Sequence, residues 1–182
     1  IKELDPGAKT VFIGPCTAKK GEFQLPKVHK YVDCVLTFEE LQALFDSRDL
    51  DVASMEESEL HDASGFGRIF AHCGGLATAA AEALKEQGSD FDLKPVSCNG
   101  IEECKLALIK ASRGRLDANF VEGMACVGGC INGAGSLTHG DVNRTKVDAF
   151  SKKSTLASIT DSLRTASDEF DKSVAGGAGA RE

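Results

Sequence analysis

Four short apolar runs, each separated from the next by a stretch of helical periodicity, constrain the fold of this chain most. Thr10 to Ile13 stops at Gly14-Pro15, as a buried strand stops at a loop. Tyr31 to Leu36 reads as a second strand, Lys94 to Cys98 as a third and Ala118 to Met124 as a fourth. Between them, Thr37-Phe38-Glu39-Glu40 has the form of a capping box, with Leu41, Leu44 and Phe45 on one face of the helix behind it. An alanine-rich segment, Gly74 to Gln87, reads as a helix closed by Gly88. Ile101 to Ser112 reads as another, with Ile101, Leu108 and Ile109 inward and Gly114 at its end. A last amphipathic helix is expected over Asp148 to Asp171, through Phe150, Leu156, Ile159, Leu163 and Phe170. Strands alternating with helices predict an α/β fold: a mainly parallel four-stranded sheet flanked by helices.

Charge and composition narrow the partners. Lys and Arg number 21 against 28 Asp and Glu, a formal net charge of -7, so no basic face for nucleic acid is expected. No apolar run reaches the roughly 18 residues of a membrane span. The longest candidate, Ile69 to Ala81, is interrupted by His72 and two glycines. The start, IKELDPGAKT, has no signal-peptide core and no initiator Met, which reads as a piece of a longer polypeptide. Seven cysteines, an odd number without scaffold-like spacing, point to a reducing, cytoplasmic setting and thiolate chemistry.

Two local patterns carry chemistry. In Cys126-Val127-Gly128-Gly129-Cys130, two thiols lie four positions apart around a glycine pair. The glycines free the backbone to turn sharply, and exposed N–H groups there can donate to sulfur. The pair reads either as a metal or iron–sulfur ligand set or as two buried thiols beside a tight turn; it is neither a zinc CxxC pair nor a ferredoxin run. The second pattern is Cys16, just past the first strand, followed by Lys19, Lys20 and Glu22. Strand ends of a parallel sheet form its functional edge. Lys19 is able to donate to a ligand held by that sulfur, or is an ordinary surface lysine. Lys20 is expected to point elsewhere along an extended loop. Cys34 and Cys98 read as core packing, Cys104 as the buried side of a helix, and Cys73, after His72, as a secondary candidate. His29, His61 and His139 have no ligand-like spacing, and Gly65-x-Gly67 is no dinucleotide fingerprint.

Together the patterns resemble the catalytic domain of the iron-only, or [FeFe], hydrogenases. The run Pro15-Cys16-Thr17-Ala18-Lys19-Lys20-Gly21-Glu22 is similar to one signature of that family, and Glu122 to Gly133 to another, the two cysteine loops standing about 110 residues apart. Gly67-Arg68-Ile69-Phe70 through Gly74-Gly75 resembles the stretch that lines the family's cofactor pocket, which places Phe70 and Ala71 at the cofactor.

The resemblance implies one lobe of that domain and an H-cluster: a [4Fe–4S] cubane joined through a cysteine to a two-iron unit with carbon monoxide and cyanide ligands. Cys16 and Cys126 would ligate the cubane, and Cys130 would bridge to the two-iron unit. Lys19 would hydrogen-bond a cyanide, Met124 would pack beside the two-iron unit, and Glu22 would lie on the proton route. The reaction implied is 2H⁺ + 2e⁻ ⇌ H₂. Residues 1–145 would form the C-terminal lobe, 146–172 a helix packed on it, and 173–182 a flexible tail. The N-terminal half of the same catalytic domain would supply the remaining cysteine ligand, with ferredoxin or ferredoxin-like domains as further partners. The isolated piece is expected to be inactive and to lack the cluster. A Thr-Ser-Cys-Cys-Pro signature is absent here. Gly14 stands where well-known catalytic members have methionine, and Ala71 where they often have glycine. Ala134 interrupts a glycine triplet, and Ser136-Leu137 replaces Gln-Pro. These departures leave two alternatives beside the enzyme: a hydrogen sensor with the same cluster, and a non-catalytic hydrogenase-like iron–sulfur protein.

Overall fold

The computed structural model describes residues 1–3, 5–58 and 63–178, with side chains in the last helix as far as Asp168. The chain forms two compact units, one of Ile1–Ser58 with Ile131–His139, the other of Glu59–Cys130 with Gly140–Glu182.

In the first unit, strand β1 (Val11–Ile13) pairs in parallel with β2 (Cys34–Leu36), Phe12 opposite Val35. The crossover holds two single-turn helices, α1 (Lys19–Glu22) and α2 (Pro26–His29). Helix α3 (Phe38–Asp46) follows β2, and the expected capping box is present. The Thr37 hydroxyl accepts the Glu40 N–H, and the Glu40 carboxylate accepts the Thr37 N–H. Gly135 closes this unit. Its N–H donates to the Pro15 carbonyl, and its own carbonyl accepts the Phe38 N–H. A Cβ at Gly135 would lie 2.5 Å from the Thr37 Cβ, so no larger residue fits that seat.

Asp33 ties the start of the chain to this unit. The Lys2 ammonium 2.7 Å away and the Thr10 N–H hold its carboxyl at about 2, against an ordinary 3.8. A carboxyl depressed on folding stabilises fully above its ordinary value and loses that stabilisation as pH falls through the folded value. Asp33→Asn is therefore expected to flatten the fall in urea-denaturation midpoint between pH 4 and about 2. An acid limb as steep as in the parent would contradict this.

The second unit opens with the turn α4 (Gly65–Arg68) and helix α5 (Gly75–Glu86). Strand β3 (Pro95–Asn99), helix α6 (Ile101–Ser112) and strand β4 (Phe120–Met124) then form a βαβ unit. β3 and β4 are parallel, in register from Pro95↔Phe120 to Asn99↔Met124. Both α5 and α6 pack on this pair. Helices α7 (Asp141–Ser151) and α8 (Ile159–Ala178) complete the unit, α7 against α4 and α8 against α5.

Three expectations are corrected. The four strands form two separate two-stranded parallel sheets, not one four-stranded sheet. Each pair is closed by its own crossover, and alternation in sequence does not say whether two such units share an edge. On α6 the buried residue is Ala107, with Cys104 half-buried, while Ile101 and Leu108 are 63% and 61% exposed. The helix thus approaches the strands through its small residues. The single C-terminal helix is two, because Ser158 starts α8: its hydroxyl accepts the Asp161 N–H. Glu86 also accepts the N–H groups of Ile159 and Thr160, fastening α8 to the end of α5. Positions 179–182 of the expected tail, and His61, lie outside the described residues.

Candidate metal centre

Cys16 follows β1 and is half-buried. Beyond it the chain is not an extended loop but the turn α1, which sets Lys19 and Glu22 three apart on one face, 2.5 Å from ammonium to carboxylate. The Lys19 Nζ also lies 5.9 Å from the centre of the Phe12 ring. Lys20 is not idle. Its ammonium reaches Glu40 at 2.7 Å and the Val35 carbonyl at 3.2 Å, pinning α1 to β2 and to the cap of α3. That ammonium and the Thr37 N–H hold the Glu40 carboxyl below the usual carboxylate range. The cysteine loop is therefore anchored through Lys20, which leaves Lys19 on the other side of the turn.

In the second unit, Met124 ends β4, half-buried, and Cys126 and Cys130 follow. The Cys126 carbonyl accepts the Gly129 N–H at 3.0 Å, closing a β-turn whose third residue, Gly128, has φ +86°. The Gly128 N–H goes to Asn99 Oδ1 at 2.5 Å. Both glycine amides expected to face sulfur are thus engaged by oxygen. Gly129, at φ +99°, pairs with His72 in an antiparallel bridge. A Cβ there would lie 2.6 Å from both the Ala71 carbonyl oxygen and the Cys73 nitrogen. Ala71 therefore lies against the cysteine turn, with Phe70 beside it and exposed. Gly129→Ala is expected to cost about 2–4 kcal/mol, since both the dihedral and the contact forbid a side chain. Urea denaturation checks this, and a loss below about 1 kcal/mol would show that the turn can yield.

One residue of this region carries a role that sequence reading did not assign. Glu122, 1% exposed in the middle of β4, accepts the Gly74 N–H on one carboxylate oxygen. The other oxygen accepts the Ala77 N–H and the Ser97 hydroxyl. It caps the N-terminus of α5 from a distant strand, where a negative charge also suits the helix dipole. A glutamate inside an apolar strand is the signal, because a buried carboxylate has to be paired.

The remaining thiols are placed differently. Burial pushes the Cys73 and Cys98 thiols up, which favours the protonated form over the thiolate that metals need. The Cys104 sulfur lies near the Cys98 and Met124 carbonyls. None of the cysteines is in a disulfide. Among the described residues no group of three or more His, Cys, Asp or Glu is gathered as a metal site. The donor chemistry nevertheless fits iron–sulfur ligation. Cys16 and Cys126 are half-buried thiols in loops that follow strands, and Cys130 is an exposed one that opens a 3-10 turn, Cys130–Asn132. No helix among the described residues is long and apolar enough to cross a membrane.

Comparison with known proteins gives a consistent answer. Residues 1–134 match the family described as iron only hydrogenase large subunit, C-terminal domain. Iron hydrogenase 1 of Clostridium pasteurianum is 31% identical over an alignment covering 81% of this chain and 32% of that protein. The human nuclear prelamin A recognition factor is 26% identical, with 75% and 38% covered. The chain spans about a third of the length of these curated relatives. Among solved structures, an [FeFe]-hydrogenase studied for oxygen inactivation superposes with a TM-score of 0.61 at 19% identity, over 88% of this chain and 56% of that one. That likeness shows the mixed α/β fold with parallel strands.

Proposed function

We propose, from the fact that this chain belongs to the iron-only hydrogenase large-subunit family, that it is the cysteine-bearing C-terminal lobe of an enzyme interconverting protons and dihydrogen. The observation that carries the reading is the order of two cysteine patterns within the matched region. They are Pro15-Cys16-Thr17-Ala18-Lys19-Lys20-Gly21-Glu22 and Glu122 to Gly133.

When bound, an H-cluster supplies electrons and a two-iron unit at which protons and dihydrogen interconvert. Cys16 and Cys126 would be thiolate ligands of the cubane, and Cys130 the thiolate shared with the two-iron unit. Met124, closing β4 two residues before Cys126, would form part of the apolar wall, with Phe70 and Ala71. Lys19 would offer its ammonium to a cyanide, a charge-assisted donor role that packing alone could not fill. Glu22 carries a carboxylate on an exposed turn, able to accept a proton from solvent and pass it inward, and it shares its charge with Lys19. Residues 1–145 would form the lobe and 146–172 the helical segment packed on it. The N-terminal half of the catalytic domain would bring the fourth cubane cysteine, and ferredoxin-type partners the electrons, in a reducing cytoplasm.

Infrared spectra of the full-length, matured protein test the assignment. Lys19→Ala is expected to lose or displace the carbon monoxide and cyanide bands while the cubane stays. Unchanged bands would remove Lys19 from the cofactor. Lys20→Ala is expected to loosen α1, because its anchor to Glu40 and Val35 is lost.

The second reading, a hydrogenase-like protein without turnover, draws on the similarity to a relative that is not named as a hydrogenase, the nuclear prelamin A recognition factor. Lys19, Glu22 and Met124 favour the enzyme, since a protein holding only a cubane has no cyanide for an ammonium to meet. A Thr-Ser-Cys-Cys run in the preceding sequence would support turnover, and an alanine for its second cysteine a sensor.

A further inference from the structure

The turn between Cys126 and Cys130 is held from behind by a buried side chain that no metal role requires. His72 is 4% exposed. Its Nδ1 lies 3.0 Å from the Cys73 carbonyl oxygen and its Nε2 3.2 Å from Asp148 Oδ1. Asp148 sits on α7, and Arg144, one turn earlier, sends Nη1 to the same Cys73 carbonyl at 3.4 Å. The Arg144 Nε also lies 3.8 Å from the other Asp148 oxygen. Two side chains of α7 thus converge on residues 72 and 73, Asp148 at the His72 ring and Arg144 at the Cys73 carbonyl. On the far side, that backbone grips the cysteine turn. The Cys73 N–H donates to the Gly128 carbonyl at 3.1 Å, and His72 bridges to Gly129. A buried imidazole is costly unless it is hydrogen-bonded, and an acceptor oxygen stands within reach of each His72 ring nitrogen, one of them on α7.

We infer that His72 and Asp148 are a positioning pair: they lock residues 71–73 against Gly128 and Gly129 and so fix the turn that carries Cys126 and Cys130. The function of the lock in iron–sulfur ligation rests on the proposed hydrogenase reading; the lock itself does not. A thiolate pair on a preset turn spends less conformational freedom on binding, which is the usual benefit of a rigid layer behind metal ligands.

Hydrogen exchange on the full-length apo-protein tests this by comparing peptides over 70–75 and 125–130 with those over α6. His72→Ala is expected to speed exchange in the first two about tenfold, the loss of one charge-assisted hydrogen bond, with α6 unchanged. His72→Gln, whose amide can still donate to Asp148, is expected to restore most of the protection. Asp148→Asn, at a half-exposed site where folding is not at risk, is expected to give a smaller increase in the same peptides. Unchanged exchange in 125–130, or an equal increase in every peptide, would overturn the inference, the second by reducing the pair to general stabilisation. Iron retained against a chelator is read separately. Iron lost faster from His72→Ala than from the parent extends the lock to the cluster. A parent that takes up no iron overturns the hydrogenase reading and leaves the exchange result to decide the lock.

Discussion

Glu122→Ala is expected to be among the most destabilising single substitutions in the second unit, lowering its unfolding free energy by about 3 kcal/mol or more. The carboxylate is fully buried and accepts three hydrogen bonds, two from the first turn of α5 and one from Ser97 on the neighbouring strand. Bonds to a charged acceptor each contribute about 1.5–3 kcal/mol, and removing the acceptor leaves buried donors without partners. Glu122→Gln keeps the shape but turns an amide donor toward at least one backbone N–H, so it is expected to recover only part of the loss. Urea denaturation of the two variants measures both steps. The damage is also local to the proposed cofactor side, because Glu122 fixes β4 two residues before Met124. A Gln variant as stable as the parent would show that charge at this helix end contributes little.

Much of the local structure is legible in the sequence. β3 and β4 lie within one or two residues of their apolar runs, because each run is bounded by polar or glycine-rich chain. The Thr37–Glu40 capping box is visible because both partners lie within one turn. Gly88 and Gly114 mark the ends of α5 and α6, where both take positive φ. Non-local pairings are where legibility fails. The partners of Glu122 lie 45 and 48 positions away on α5, and those of His72 on α7. No periodicity encodes them. On α6 the large apolar residues predict an inward face of Ile101, Leu108 and Ile109, whereas close approach to the strands selects Ala107 and Cys104. The large residues are left uncovered on this chain, as are Val11 and Ile13 of β1 at 50% and 45% exposure. The start of α8 is hidden in the sequence, because Ser158-x-x-Asp161 is a capping pattern inside an otherwise continuous amphipathic stretch.

The candidate site divides in the same way. Cys16, Lys19, Glu22, Met124, Cys126 and Cys130 are proposed site residues because their two runs resemble the family's signatures; spacing alone leaves the cysteine pair open between metal ligands and buried thiols. The supporting layer is not found that way. Lys20 anchors α1, Asn99 holds the Gly128 amide, and His72 with Asp148 backs the turn. Each joins side chains to groups from another part of its own unit.

Cys16, Cys126 and Cys130 are proposed as the iron-holding thiols of this lobe. Iron content of the full-length protein, matured without oxygen, tests it when each is replaced by alanine in turn, with Cys34→Ala as control. The three variants are expected to lose the cubane iron while Cys34→Ala retains the parent's content; parental iron content in Cys16→Ala or Cys126→Ala would remove that cysteine from the cluster.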